Sequence, residues 1–226
     1  MKLYKKDDNV FIVHENIIYQ KSGLCWDHLV NRKNLFQHLK EELKDFNILK
    51  NSADFPFQNA WDAPIVSQEI WASGVTYLKS REARMEESRV EEGANFYDLV
   101  YNAERPELFF KAMAQRTVGN LGRVNIRKDS TWNVPEPELT LFISSEGTIE
   151  GYTVGNDMSS RSIEGENPLY LPQAKVYEGC ASIGPCLYVP EFSLENHVEI
   201  KMVIARMGKV IYSDCISIGQ IKRSFH

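Results

Sequence analysis

The pattern of apolar and polar residues divides the chain into a short first unit and a longer second one. Short apolar runs around residues 10–13 and 17–19 predict strands. Residues 26–43 carry leucine and phenylalanine at near-helical spacing with charged residues between them, which predicts a helix. Polar residues and two prolines over 51–64 then indicate a boundary. We therefore expect two domains: a small α+β N-terminal one over 1–62 and a larger one over 63–226.

The second unit is dominated by β-strand patterns. Residues 139–143 and 148–154 are β-rich runs joined by SSEG, a typical hairpin connection. Residues 198–204 alternate apolar and polar side chains before a turn at Gly208, and this period of two predicts a hairpin with one buried face. Charge dominates residues 82–100, which fit an exposed helix. The expected fold class is α+β, with a mostly β larger domain.

Composition and charge exclude several functional classes. The 226 residues carry a net charge of −5, and the basic residues are interleaved with acidic ones, which argues against nucleic-acid binding. The N-terminus lacks the apolar region of a signal peptide, and no apolar run reaches about 18 residues. The cysteines form neither a CxxC pair nor a regular pattern, which is typical of reduced thiols. We expect a cytoplasmic protein that binds neither nucleic acid nor a membrane.

Two glutamates are the first candidates for chemistry. In PEPEL at 135–139, Glu136 and Glu138 lie two residues apart at the start of a strand, so both project from one face with Cα atoms roughly 6.5 to 7 Å apart. The following hairpin returns to Asp157 at the same end of the sheet. Neighbouring carboxylates repel unless a cation neutralises them, and oxygen ligands favour Mg²⁺, Mn²⁺ or Ca²⁺. The three carboxylates therefore predict a metal site, although an ExE pair alone equally fits exposed edge charges.

Three segments together resemble the fumarylacetoacetate hydrolase family. They are PEPEL, GYTVGNDMSSR at 151–161 and LPQAKVYEGC at 171–180, and the resemblance covers about residues 70–190. It implies that Glu136, Glu138 and Asp157 bind the metal and that Lys175 matches the family's conserved lysine. It also implies a β-sandwich roll of the family's type, a homodimer and a small 2-oxo acid as substrate.

Within the family, two segments are most similar to the branch that dehydrates 2-keto-3-deoxy sugar acids such as 2-dehydro-3-deoxy-D-arabinonate. They are RPELFFKA at 105–112 and ENPLYLPQAKVY at 166–177. By that resemblance Glu107 is an active-site acid or base, and Ser73 and Gly74 in WASGVTY help to hold the substrate together with Lys175. From the residues alone, Glu107 equally fits a helix start after a proline, and Lys175 a surface lysine.

One departure from the wider family favours the dehydratase. The family's hydrolases and decarboxylases place a catalytic histidine and glutamate after a GxxY segment, and the matching positions here are Ser80 and Ala83. Neither side chain can activate water for C–C hydrolysis at neutral pH. The resemblance implies that Glu107 removes a C3 proton and Lys175 stabilises the charge that develops, while the metal polarises the C2 carbonyl.

Two other functions stay open from the sequence. One is a C–C hydrolase of the acylpyruvate or fumarylacetoacetate type, or an oxaloacetate decarboxylase; the other is a catalytically silent metal-binding protein. The family normally continues for some tens of residues beyond SIGQIKRSFH at 217–226. We therefore expect the chain to be truncated at its C-terminus.

Overall fold

A single large sheet forms the centre of the protein. The computed structural model describes residues 1–51, 55–77 and 94–224, except the side chains of residues 50, 51 and 94–97. The strands of the large sheet are β1 (Lys2–Lys6), β2 (Asn9–His14), β3 (Ile17–Ser22), β4 (Asn47–Asn51), β7 (Thr117–Val118), β8 (Asn133–Ile143), β9 (Ile149–Ser160) and β10 (Ala181–Tyr188). Their order is β4-β3-β2-β1-β10-β9-β8, and β7 pairs in parallel with β10.

Two further pairs of strands lie outside the large sheet. One consists of β5 (Glu69–Ser73) and β6 (Leu108–Met113), and the other of β11 (Glu199–Arg206) and β12 (Lys209–Ser217). Both pairs are antiparallel. The described part of the chain is mostly β with short helices, which confirms the predicted α+β class.

The helices are short. They are α1 (Trp26–Val30), α2 (Leu35–Glu42), α3 (Ala94–Asn102), α4 (Arg161–Glu166) and α5 (Leu171–Lys175), with 3₁₀ turns at Leu43–Asp45, Ala114–Arg116, Pro168–Tyr170 and Ile218–Gln220. The prediction of one continuous helix over 26–43 is wrong, because α1 and α2 are separate. Asn34 adopts a left-handed φ of 54°, which breaks the helix, and the Glu150 carboxylate accepts a hydrogen bond of 2.8 Å from the Leu35 N–H.

The main core joins the first residues of the chain to the strands that follow the predicted boundary. Leu3 and Ile12 from the first two strands pack with Trp26 and Leu39 from the helices and with Leu187 of β10. Strand β1 also pairs directly with β10. The division into domains 1–62 and 63–226 stays a prediction, and the two stretches share one sheet and one core.

Both predicted hairpins are confirmed. The β8–β9 hairpin turns at residues 144–147, where Gly147 takes a positive φ of 78°. In β11 the side chains of Ile200, Met202 and Ile204 are less exposed than their neighbours, as the alternation predicts. Most of β12 is exposed on both faces, so the predicted single buried face holds for β11 only.

Part of the sequence analysis falls outside the described residues. Ser80, Ala83 and most of the charged stretch over 82–100 lie there, and α3 covers only the end of that stretch. Among the described helices, none is long and apolar enough to cross a membrane.

Candidate active site

The pairing of β8 with β9 places the predicted carboxylates side by side. Glu136 lies directly opposite Asp157, and Glu138 lies opposite Gly155. Strand β8 is at the edge of the sheet, where the prolines on either side of Glu136 cost no hydrogen bond to a further strand. The PEPE sequence is therefore compatible with a regular strand, and it directs its two glutamates to one face.

Lys175 brings a positive charge between two of these carboxylates. Lys175 is the last residue of α5, and only 2% of its surface is exposed to solvent. The Lys175 Nζ donates a hydrogen bond to Glu136 Oε2 and another, of 2.9 Å, to Asp157 Oδ2. The structure thus brings together the predicted Glu136, Asp157 and Lys175 in one buried cluster.

Two further cations that the sequence analysis did not single out hold the same carboxylates. Arg161, the first residue of α4, places its Nη2 3.1 Å from Glu136 Oε1. Lys111 of β6 is 1% exposed, and its Nζ lies 2.6 Å from Asp157 Oδ1. Both residues lie in segments that carry the family resemblance: Arg161 ends GYTVGNDMSSR, and Lys111 lies in RPELFFKA after two phenylalanines that make the strand look apolar.

Glu107 and Gly74 form a second group of predicted residues. The Gly74 N–H donates a hydrogen bond of 3.1 Å to the Glu107 carbonyl, and Ser73 pairs with Leu108 in the β5–β6 ladder. The Glu107 carboxylate packs so closely on Gly74 that a Cβ atom there would lie 1.9 Å from Glu107 Oε2. Any side chain at position 74 would therefore displace the Glu107 carboxylate from where it lies.

Strand β6 connects the two groups. Glu107 directly precedes β6 and lies two residues before Phe109, so the two side chains are on one side of the extended segment. The Phe109 ring lies 5.6 Å from Lys175 Nζ. Lys111 contacts Asp157 from a position where the β5–β6 register shifts. Glu107 therefore lies on the same side of the segment as the ring that contacts Lys175.

Burial and neighbouring charges change the pKa values of Glu138 and Lys175. Burial, together with the charges of Glu136 and Asp157, raises the pKa of Glu138 to about 8, and Lys175 lowers it only in part. For Lys175 itself, burial lowers the pKa, but the neighbouring Glu136, Asp157 and Glu164 more than offset that effect. The pKa of Lys175 is thus above its ordinary value, and its side chain is an ammonium group at neutral pH.

The cluster has the donor chemistry of a hard divalent cation. Glu136, Glu138 and Asp157 offer only carboxylate oxygens, and the charges of Glu136 and Asp157 add to the effect of burial in raising the pKa of Glu138. Within the described part of the chain, no three His, Cys, Asp or Glu side chains are arranged to hold an ion as they stand. Lys175 instead contacts two of the three carboxylates, so a bound cation would share them with its ammonium group.

Comparison with known proteins gives the class of protein that this fold and site define. Residues 70–218, more than half of the chain, match the family described as "Fumarylacetoacetate (FAA) hydrolase C-terminal". The chain belongs to the fumarylacetoacetate hydrolase family, as its motifs predict.

Two curated relatives of the chain are named as dehydratases of 2-keto-3-deoxy sugar acids. The chain is 54% identical over 162 residues to a Haloferax volcanii protein named "Probable 2-keto-3-deoxyxylonate dehydratase", covering 71% of this chain and 55% of the relative. It is 41% identical over 162 residues to the 2-dehydro-3-deoxy-D-arabinonate dehydratase of Saccharolobus solfataricus, covering 71% of this chain and 54% of the relative. The chain thus spans about half the length of the curated relatives it matches.

A solved structure agrees with these relatives. The structure of 2-keto-3-deoxy-D-arabinonate dehydratase complexed with magnesium and 2,5-dioxopentanoate superimposes with a TM-score of 0.78 at 30% identity. The match covers 100% of this chain and 79% of the other. The fold of the whole described chain is therefore that of this dehydratase.

Proposed function

We propose that the protein is a magnesium-dependent dehydratase that acts on a 2-keto-3-deoxy sugar acid. The observation that carries the proposal is the ammonium group of Lys175 held between Glu136 and Asp157. This arrangement occurs in a chain that is similar over 162 residues to two sugar-acid dehydratases. A 2-oxo acid substrate is itself an anion, and Lys175, whose Nζ donates to only two carboxylates, is the cation that we propose it meets.

Glu107 is the proposed base. Dehydration removes a proton from C3 of the substrate and releases the C4 hydroxyl group as water. A carboxylate on the same side of the segment as the Phe109 ring is suited to accept that proton, and its contact with Gly74 fixes where the carboxylate lies. Ser73 and Gly74 would hold the substrate from the adjacent strand β5.

Lys175 is proposed to act through its charge. A lysine that forms a Schiff base with a ketone must lose its proton first, and the raised pKa of Lys175 opposes that loss. As an ammonium group it instead stabilises negative charge that develops on the substrate when the C3 proton leaves. The Phe109 ring, whose centroid lies 5.6 Å from Lys175 Nζ, adds a cation–π contact that favours the charged form of the lysine.

Glu136, Glu138 and Asp157 would hold the divalent cation. When bound, Mg²⁺ supplies Lewis acidity toward the carboxylate and C2 carbonyl of a 2-oxo acid. Mn²⁺ and Ca²⁺ also accept carboxylate oxygens, so the three ions should be compared in the same assay. Arg161 keeps Glu136 in place from the side opposite Lys175.

The reaction itself tests the proposal. The protein is incubated with Mg²⁺ and either a five-carbon 2-keto-3-deoxy acid or an acylpyruvate, and the products are identified by mass spectrometry. Loss of one water from the first substrate gives the composition of 2,5-dioxopentanoate, and this is the product we expect. Cleavage of the acylpyruvate without any dehydration of the sugar acid would contradict the proposal and favour a C–C hydrolase.

The raised pKa of Glu138 predicts a pH-dependent effect of Mg²⁺ on stability. The carboxyl ionises near 4.5 in the unfolded chain but near 8 in the fold. Because the folded pKa is raised, the stability contributed by protonated Glu138 is complete below 4.5 and is lost as the pH rises through 8. A cation displaces this proton, so Mg²⁺ should raise the Tm more above pH 8 than below it.

Scanning calorimetry with and without Mg²⁺, on either side of pH 8, measures this difference. Glu138→Gln does not titrate, so its response to Mg²⁺ should lose the pH dependence. An equal Mg²⁺ effect at both pH values in the unchanged protein would contradict the assignment of Glu138.

Replacing Gly74 with alanine should displace the proposed base without unfolding the protein. The new Cβ would lie 1.9 Å from Glu107 Oε2, the end of a flexible side chain that can move away. A displacement of this kind is expected to lower kcat by about 10²-fold. Gly165→Ala is the control, because a Cβ there meets nothing within 4 Å. Full activity of Gly74→Ala would show that the position of the Glu107 carboxylate is unimportant.

We further propose that the protein is a cytoplasmic homodimer. Its four cysteines are all free, which suits a reducing compartment. Exposed apolar side chains on two pairs of strands, Trp71 and Leu108 on one and Val210 and Ile211 on the other, favour an interface between copies. Light scattering during size-exclusion chromatography measures the mass, and a monomer at all concentrations would contradict the dimer.

A further inference from the structure

We infer that Lys111 is a positioning residue that fixes Asp157 and Lys175 relative to each other; the inference rests on the proposed function. The side chain is 1% exposed and lies on β6, with Nζ 5.8 Å from the centroid of the Tyr177 ring. It does not line an open surface, so its contacts with the protein define what it does.

The ammonium group of Lys111 has three protein acceptors. Its Nζ donates hydrogen bonds of 2.8 Å to the Met158 carbonyl and 2.6 Å to the Lys175 carbonyl. Asp157 Oδ1 lies 2.6 Å from the same Nζ and forms an ion pair with it, but the angle of approach is not that of a hydrogen bond. Of the three N–H donors of a lysine, two are used by the carbonyls, and the charge of the group faces Asp157.

These contacts close a ring through the active site. Lys111 holds one oxygen of Asp157, and Lys175 Nζ holds the other at 2.9 Å. Lys111 also holds the backbone of Lys175 through its carbonyl. One buried cation therefore fixes both the carboxylate and the chain segment that carries its second partner.

The Lys175 carbonyl, to which Lys111 donates a hydrogen bond, lies at the end of α5. Carbonyl groups in the last turn of a helix have no partner within the helix, and α5 has only five residues. The last backbone bond at this end runs from the Val176 N–H to the Pro172 carbonyl, at 2.9 Å. Lys111 thus caps the helix from which Lys175 reaches the carboxylates.

Burying charged side chains is costly, and a buried ion pair is often no more stabilising than two apolar residues of the same volume. Replacing Lys111 alone would also leave Asp157 with one cationic partner fewer. Stability alone therefore does not explain why Lys111 is a lysine. Its contacts account for it through the placement of Asp157 and Lys175.

Hydrogen exchange and kinetics of Lys111→Met test the inference, with the exposed Lys201→Met as the matched control. In the folded protein, amide exchange over residues 171–176 should become faster in Lys111→Met and remain unchanged in Lys201→Met. Unchanged exchange in Lys111→Met would overturn the inference even if the protein dehydrates its substrate. Conversely, failure of the unchanged protein to dehydrate any 2-keto-3-deoxy acid would overturn the proposed function. The exchange result would still show whether Lys111 holds the end of α5.

A double-mutant cycle of Lys111→Met and Lys175→Met, measured by kcat, tests whether Lys111 acts through Lys175. Lys111→Met is expected to lower kcat by about 10²-fold, because Lys175 is misplaced. Adding this change to Lys175→Met should then cost much less than it does in the unchanged protein, since the part of its effect that acts through Lys175 is already lost. Additive losses would show that Lys111 does not act through Lys175. If Lys111→Met does not fold, Lys111→Met with Asp157→Asn removes both members of the buried pair, and its exchange over residues 171–176 is judged by the same criterion.

Discussion

Replacing Glu107 with glutamine is expected to lower kcat for dehydration by about 10²- to 10⁴-fold, the usual loss when a general base is removed. Glutamine has nearly the same shape, so the close packing on Gly74 and the β5–β6 ladder should persist. Because Glu107 is not among the three proposed ligands, the affinity for Mg²⁺ should hardly change. Steady-state kinetics and calorimetry on the same preparation measure the two quantities.

Glu104→Gln is the matched control for this change, since Glu104 is exposed and lies three residues away on the same segment. It should retain full activity. Wild-type rates in Glu107→Gln would remove Glu107 from the mechanism. Loss of Mg²⁺ binding together with activity would instead place Glu107 among the groups that hold the cation.

Replacing Lys175 with methionine is the second change with a large expected effect. It removes the cation that contacts both Glu136 and Asp157, so kcat should fall by about 10²- to 10³-fold, as when a charge-stabilising donor is removed. Mg²⁺ binding should not weaken, because the two carboxylates lose a competing cation. The exposed Lys128→Met should leave both quantities unchanged.

Treatment with sodium borohydride distinguishes a charged Lys175 from one that forms a Schiff base with the substrate. If Lys175 acts as an ammonium group, sodium borohydride should not inactivate the unchanged protein in the presence of substrate, because no Schiff base forms. Inactivation by borohydride that requires both substrate and Lys175 would contradict the charge-based role.

The sequence predicts the carboxylate cluster well because its members are close along the chain or lie across one hairpin. The ExE spacing fixes a shared strand face, and the β8–β9 turn brings Asp157 opposite Glu136. These are local consequences of strand geometry. They need no knowledge of how the rest of the chain packs.

Lys111 could not be predicted in the same way. It is separated from Asp157 by 46 positions, and the two meet only because β6 packs on β9 and α5. Its neighbours in sequence are apolar, so the strand reads as part of a core. The break between α1 and α2 has a similar origin, since Glu150 lies far along the chain from the Leu35 amide that it binds.

The central claim is that Glu136, Glu138 and Asp157 form one site for a divalent cation, and calorimetric titration with Mg²⁺ tests it most directly. We expect one Mg²⁺ per chain in the unchanged protein and in Glu146→Gln, which removes an exposed carboxylate from the β8–β9 turn. Binding should be strongly weakened in Glu138→Gln, because the site loses one of its three carboxylates. Equal affinity for Mg²⁺ in Glu138→Gln and the unchanged protein would contradict the site.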